Sequence, residues 1–143
     1  MLVIDASVVL EWLLSDARAL EAEAILVRAS SDEIWVPSLF WLEVGNVLRM
    51  RLRRGLIDEE FRDASLARVR TPRMRVDRSD DPSGQALART VALSDRFDLT
   101  VYDATYLELA LRFGADLGSF DEALCSAAAV AGVAVFGGPA AKP

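Results

Sequence analysis

Histidine is absent from this chain, and cysteine and lysine occur once each, at Cys125 and Lys142. Against those absences stand 22 Asp and Glu residues, 16 Lys and Arg residues and a net charge of −6. Whole chemistries drop out. A Ser-His-Asp triad and a Cys-His dyad both need histidine. RNA cleavage assisted by imidazole is excluded, because no unshifted side chain here titrates near neutrality. One thiol cannot complete a zinc site of Cys and His. Nor can it close an internal disulfide, which points to a reducing, cytoplasmic setting. Carboxylates and hydroxyls remain, and hard oxygen ligands of that kind suit Mg2+ or Mn2+.

Four acids stand out by where they fall. Asp5 ends the apolar run Leu2-Val3-Ile4, and ligands of open α/β sheets collect just beyond the carboxyl ends of strands. On position alone, an N-cap for a helix starting near Ser7 or Val8 is the simpler reading. Glu43 is more telling. On a helix drawn at ~100° per residue, Leu39, Phe40, Val47 and Met50 surround it and place it at the centre of an apolar face. A carboxylate there needs a partner, a proton or a cation, so either an Arg or a metal ion would satisfy it. Asn46, one turn on, flanks the same stripe and would orient Glu43 or a bound water. Asp103, in Val101-Tyr102-Asp103-Ala104, sits where a weak strand becomes a helix. Asp121 follows a strand in Gly118-Ser119-Phe120-Asp121. Each of these two alone would pass for an N-cap. Together, three Asp at strand exits and one Glu on a helix face fit one location, the carboxyl edge of a small parallel sheet. Four carboxylates there would repel unless a divalent cation neutralised them. A cation held by acids alone is the arrangement of a phosphoryl-transfer or nuclease site.

The elements that must position these acids alternate. Strands are expected at 2–4, 34–36, 74–76, 116–119 and 133–136, with a weak strand or turn at 99–101. Helices are expected over 16–29, 39–54, from a cap at Asp58 to about 70, from Asp81 or Ser83 to 97, and over 103–113 and 121–131. Gly55 stands where a C′ glycine belongs. The alternation predicts an α/β fold with a mostly parallel sheet, whose short apolar strands are buried on both faces. A chain of 143 residues, 52% hydrophobic, suits one domain over 1–137, followed by a frayed tail at 138–143. Met1 to Leu10 carries Asp5 and no basic segment, so it does not read as a signal peptide. No apolar run reaches the ~18 to 20 residues of a membrane-spanning helix.

Basic charge is concentrated. Residues 44–76 hold 9 basic and 4 acidic residues, centred on Arg49, Arg51, Arg53 and Arg54. Arginine forks onto phosphate oxygens, so this helical hairpin reads equally as a nucleic-acid contact and as a solvated face.

At these residues the sequence resembles the PIN domains, and specifically the VapC-type toxin ribonucleases of bacterial and archaeal toxin–antitoxin pairs. Four blocks in order carry the resemblance across about residues 2 to 136. They are Val3-Ile4-Asp5-Ala6-Ser7-Val8; Leu42-Glu43-Val44-Gly45-Asn46-Val47-Leu48 with the Arg-rich stretch after it; Val101-Tyr102-Asp103-Ala104-Thr105-Tyr106-Leu107; and Leu117-Gly118-Ser119-Phe120-Asp121. The resemblance implies a three-layer α/β/α fold around a five-stranded parallel sheet in the order 3-2-1-4-5. It implies that Asp5, Glu43, Asp103 and Asp121 are the catalytic, metal-binding quartet for one or two Mg2+ or Mn2+ ions. Ser7, Ser119 and Asn46 would support it; Arg49, Arg53 and Arg54 are read separately, from their charge alone, as a surface for RNA, for an antitoxin or for solvent. It also implies an endoribonuclease that hydrolyses RNA with metal-activated water, a homodimer and a cognate antitoxin. Two positions depart from the pattern. Ser119 stands where Thr is usual, which keeps the hydroxyl. Ala123 stands where many members carry a further Asp, which bears on a second ion.

Rival readings stay open. A catalytically idle PIN scaffold would bind RNA or a protein with the same residues. An acidic phospho-acceptor module would also place acids at strand ends. It wants a Lys near the last strand, and the only Lys is Lys142 in the tail.

Overall fold

The computed structural model describes residues 1–28, 32–70, 74–78 and 83–138. The expected Thr71-Pro72 stop, a helix start at Asp81 and tail residues 139–143 lie outside the described residues. Along the chain run β1 (Leu2–Ile4), α1 (Ala6–Leu14), α2 (Ala19–Arg28), β2 (Ile34–Pro37), α3 (Phe40–Arg53), α4 (Glu59–Val69), β3 (Met74–Asp77), α5 (Gln85–Phe97), α6 (Val101–Phe113), β4 (Asp116–Ser119), α7 (Glu122–Val130) and β5 (Val135–Gly137). The five strands form one sheet in the order β3-β2-β1-β4-β5, and every pairing is parallel. This is the α/β architecture that the alternation predicts and the strand order that the family resemblance implies.

The central strand is short because it is wholly apolar and enclosed. Val3 and Ile4 are completely buried, as strands covered on both faces must be. Each residue of β1 is registered with β4, Leu2 opposite Asp116 and Ile4 opposite Gly118. That register fixes the level at which both strands stop and brings Asp5 beside the end of β4, where its amide donates to the Gly118 carbonyl at 2.9 Å. α6 packs its Ala104, Tyr106, Leu107, Leu109 and Ala110 into the core, and Phe113 meets Trp35 of β2 edge to face at 4.8 Å.

Several expectations need correction. The helix expected from Asp16 starts at Ala19, because a separate helix, α1, begins directly after β1. α1 ends at Ser15 with φ of 50°, and the Asp16 amide turns back to the Glu11 carbonyl at 3.2 Å. Leu99-Thr100-Val101 is not a strand. Asp98 closes α5 in the left-handed region at φ 53°, and Thr100 then caps α6, accepting from the Asp103 amide at 3.1 Å. Asp103 is therefore a first-turn helix residue and not a strand exit. The apolar face of α3 is centred on Phe40, Val44 and Leu48, which are fully buried, while Met50 is 40% exposed. Glu43 accordingly lies at the margin of that face, half-buried, and not at its centre. Asp58 caps α4 as expected, accepting from the Phe61 amide at 2.7 Å. Among the described residues no helix is long and apolar enough to cross a membrane.

Candidate active site

Each acid reaches the carboxyl edge of the sheet by its own route. Asp5 occupies the N-cap position of α1, but its side chain does not cap the helix. One oxygen, Oδ2, instead accepts hydrogen bonds from Ser7 Oγ at 2.6 Å and Ser119 Oγ at 2.7 Å. Asp5 is 7% exposed. Burial pushes its carboxyl above the usual range; the two hydroxyls oppose that shift, and the charge of Asp103 adds to it.

The hydroxyls bind the site together. Ser7 Oγ also accepts from the Phe120 amide at 3.0 Å, and Ser119 Oγ from the Asp121 amide at 3.0 Å. The last acid is thus tied to the first through one buried serine. Asp121 does cap α7: its Oδ1 accepts from the Leu124 amide at 2.7 Å. Its side chain is otherwise exposed.

Glu43 comes from the first turn of α3 and meets Tyr106 of α6, whose hydroxyl donates to Glu43 Oε2. Burial raises the Glu43 carboxyl; the tyrosine hydrogen bond lowers it, and the charges of Asp5 and Asp103 raise it further. Tyr106 is fully buried. Its own pKa is pushed far up, first by burial and then by Asp5 and Glu43, so the phenol remains a donor. Asp103 is held by Thr100, whose hydroxyl donates to Asp103 Oδ2 at 2.6 Å. Three acids, Asp5, Glu43 and Asp103, therefore feel one another's charge, and Asp121 joins them through Ser119.

Among the described residues none of the four acids pairs with an Arg or a Lys. The contrast with Glu108 is direct. That glutamate is equally buried, at 4% exposed, yet Arg89 reaches it at 2.9 Å and Arg112 at 3.1 Å. The fold neutralises a buried carboxylate with arginine in one place and leaves the cluster at the sheet edge to hydroxyl donors. A cation partner for Glu43 from the protein itself is thereby ruled out among the described residues.

Not every expected residue joins the site. Asn46 is exposed, and its amide lies 3.9 Å from Met50 Sδ, away from Glu43. Arg49, Arg53 and Arg54 are exposed on α3 and just beyond it, without an ion pair among the described residues, whereas Arg51 is tied to Asp16 at 2.7 Å. Two residues were missed by sequence reasoning. Tyr106 stands three residues after Asp103, a spacing that puts both on one side of a helix. Thr100 stands three residues before it, the spacing of a cap.

A divalent ion fits this donor set in kind. All the donors are oxygens, several are desolvated carboxylates that repel one another, and one oxygen of Asp121 carries no hydrogen bond among the described residues. The acids are not drawn together as a ready-made cage, since among the described residues no group of three or more is arranged to hold an ion directly. Water between ion and carboxylate would complete such a site.

Residues 2–130 match the family model described as PIN domain. No curated protein sequence matches the chain. Among solved structures, the fold is similar to Mycobacterium tuberculosis VapC20, described as a sarcin-ricin loop cleaving toxin, at 19% identity and a TM-score of 0.66, over 89% of this chain and 95% of that one. FitAcB from Neisseria gonorrhoeae is similar at 16% identity and a TM-score of 0.66, over 95% and 96% of the two chains. A toxin–antitoxin complex from Klebsiella pneumoniae is similar at 20% identity and a TM-score of 0.56, over 85% and 87%. At these identities the likeness is one of fold.

Proposed function

Since the chain belongs to the PIN-domain family, we propose that it is a Mg2+- or Mn2+-dependent endoribonuclease, acting as the cytoplasmic toxin of a toxin–antitoxin pair. One observation carries the reading. The charge of Asp103 raises the proton affinity of Asp5, the charges of Asp5 and Asp103 raise that of Glu43, and no protein cation relieves either carboxylate among the described residues. Such a cluster is costly to fold, and it suits a site that binds a positive ion.

Asp5, Glu43, Asp103 and Asp121 would hold one or two ions. Bound there, a divalent metal supplies an acidified water and neutralises charge at a phosphodiester. The remaining work belongs to the chain. Ser7 and Ser119 hold Asp5 in one rotamer by two short hydrogen bonds. Tyr106 fixes one oxygen of Glu43 and leaves the other turned to its surroundings. A carboxylate accepts the proton of the attacking water, so histidine is not required. The expected products carry 5′-phosphate and 3′-hydroxyl ends.

Arg49, Arg53 and Arg54 are free to meet phosphates or an acidic partner. The toxin–antitoxin complex among the structural relatives supports a cognate antitoxin, and a homodimer is proposed on the same footing. A catalytically idle scaffold draws on one fact, the absence of a preassembled cage among the described residues. One experiment separates the two: RNA cleavage with Mg2+, with EDTA, and by the Asp5→Ala and Glu43→Ala variants. The nuclease reading predicts activity only for the wild type with metal. Full activity in EDTA or in either variant would refute it.

A further inference from the structure

We propose that Arg18 is a positioning residue for the candidate active site, clamping the Phe120-Asp121 turn that leads from Ser119, the last residue of β4, into α7. The proposal rests on the reading of that turn as part of a metal site.

Arg18 precedes α2, far from the turn in sequence, and its side chain is only 14% exposed. Its guanidinium carbon lies 3.8 Å from the centroid of the Phe120 ring. Its Nη1 donates to the Gly138 carbonyl. The arginine is itself anchored. Its amide donates to Glu11 Oε2 at 3.0 Å, and its Nε and Nη2 reach Glu21 Oε2 at 3.2 and 2.6 Å. The pairing with exposed Glu21 contributes little by itself; what it does is aim the guanidinium.

Both residues that Arg18 holds touch the site directly. The Phe120 amide donates to Ser7 Oγ at 3.0 Å. The Gly138 amide donates to the Ser119 carbonyl at 2.8 Å. Ser119 in turn bridges Asp5 and Asp121. The two segments are neighbouring parallel strands, with Ser119 registered opposite Gly137. Gly137 has φ of +101°, and a Cβ there would overlap the Ser119 carbonyl and lie 2.9 Å from Phe120 Cδ1. The exit of β5 thus lies against the turn, and Arg18 fastens the two together, a ring on one side and a carbonyl on the other. Ser119 stays paired in the sheet and bonded to Asp5, but without this clamp the Phe120-Asp121 turn beyond it loses its brace and Asp121 its fixed distance from Asp5. A ligand that needs both acids then has to order the turn on binding. Only a planar fork serves Glu21 and Gly138 while lying over a ring, so lysine is an incomplete substitute.

The test is Mn2+ titration of the full chain, followed by electron paramagnetic resonance of the free ion, with melting in EDTA alongside. Arg18→Ala is expected to raise the Mn2+ Kd about tenfold, the lower end for residues that support metal ligands. Arg18→Lys should recover part of that loss. Arg68→Ala serves as the control, because Arg68 stacks on the Trp12 ring at 4.1 Å and does not touch the turn. It should leave the Kd unchanged. If Arg18→Ala fails to fold, Phe120→Leu removes the stacked ring alone and should also weaken Mn2+ binding. Wild-type Mn2+ binding with an unchanged Kd in the Arg18 and Phe120 variants would overturn this inference and leave the metal site standing. No Mn2+ binding by the wild type would overturn the metal-site reading and this proposal with it.

Discussion

Asp5 shows most plainly how the protein spends stability on a site. Its carboxyl and that of Glu43 are held above their ordinary values of 3.8 and 4.5, mainly by burial. The folded state therefore binds these two protons more tightly than the unfolded state does. Their contribution favours folding below the unfolded values and is lost as pH rises through the raised folded ones. Asp5→Asn removes the charge and keeps an acceptor for Ser7 and Ser119. In EDTA it should stabilise the protein by about 1 kcal/mol near neutral pH, with a gain that shrinks towards acid pH. Melting curves across that range check this, and an Asn variant less stable at every pH would contradict it. Asp5 and Asp121 are conspicuous in the sequence as acids just after strands, whereas Asp103 falls in the first turn of a helix and Glu43 at the margin of an apolar face. Tyr106 is not conspicuous, because a buried tyrosine on a core helix looks like packing until its hydroxyl finds Glu43. Asn46, one turn from Glu43, is exposed, because the buried face of α3 is centred on Val44.

Elements decide where the acids arrive. Thr100 holds Asp103 twice, accepting from its amide and donating to its carboxylate. Thr100→Val keeps the shape and removes both bonds. A lost cap costs about 1 kcal/mol, or roughly 3 °C in Tm for a domain of this size. RNA cleavage should fall more than that small destabilisation accounts for, because Asp103 is released. A variant that melts lower yet cleaves at the wild-type rate would show that Thr100 serves α6 alone. The β5 exit is the second such point. Gly137→Ala combines a left-handed φ with an overlap on the Ser119 carbonyl and should cost about 2 kcal/mol or more, read from a denaturant midpoint. The strands and longer helices were legible from apolar runs and caps. The α5–α6 junction was not, since Leu99-Thr100-Val101 has strand-like residues and only the chain reversal at Asp98 shows that a helix must start.

At the scale of the whole molecule, an excess of 6 negative charges sits uneasily with an RNA substrate. Part of that excess is the four acids, whose charge a divalent ion would neutralise in the proposed site. The positive charge gathers on α3 and the turn after it, where Arg49, Arg53 and Arg54 are exposed. Removing all three charges should flatten the salt dependence of RNA binding by about 2 in log–log slope, at ~0.7 for each single-strand contact. An unchanged slope, with weaker capture of an antitoxin, would assign the stretch to the protein partner. Metal at about 100 times its Kd should raise stability by about 2.7 kcal/mol, visible as a shift in Tm that Asp5→Ala diminishes. The fold class was legible from alternation alone. The order of the strands came only through the family resemblance, because no pattern within a short apolar strand says which neighbour it takes.

We propose that carboxylates and a divalent ion, without any histidine, cut RNA at this sheet edge. The most direct measurement is the end chemistry and rate of a labelled RNA cut by the wild type and by Glu43→Gln in Mg2+. The account predicts 5′-phosphate and 3′-hydroxyl ends, with cleavage slowed about 100-fold or more in the variant. A 2′,3′-cyclic phosphate product, or equal rates for the two proteins, would contradict it.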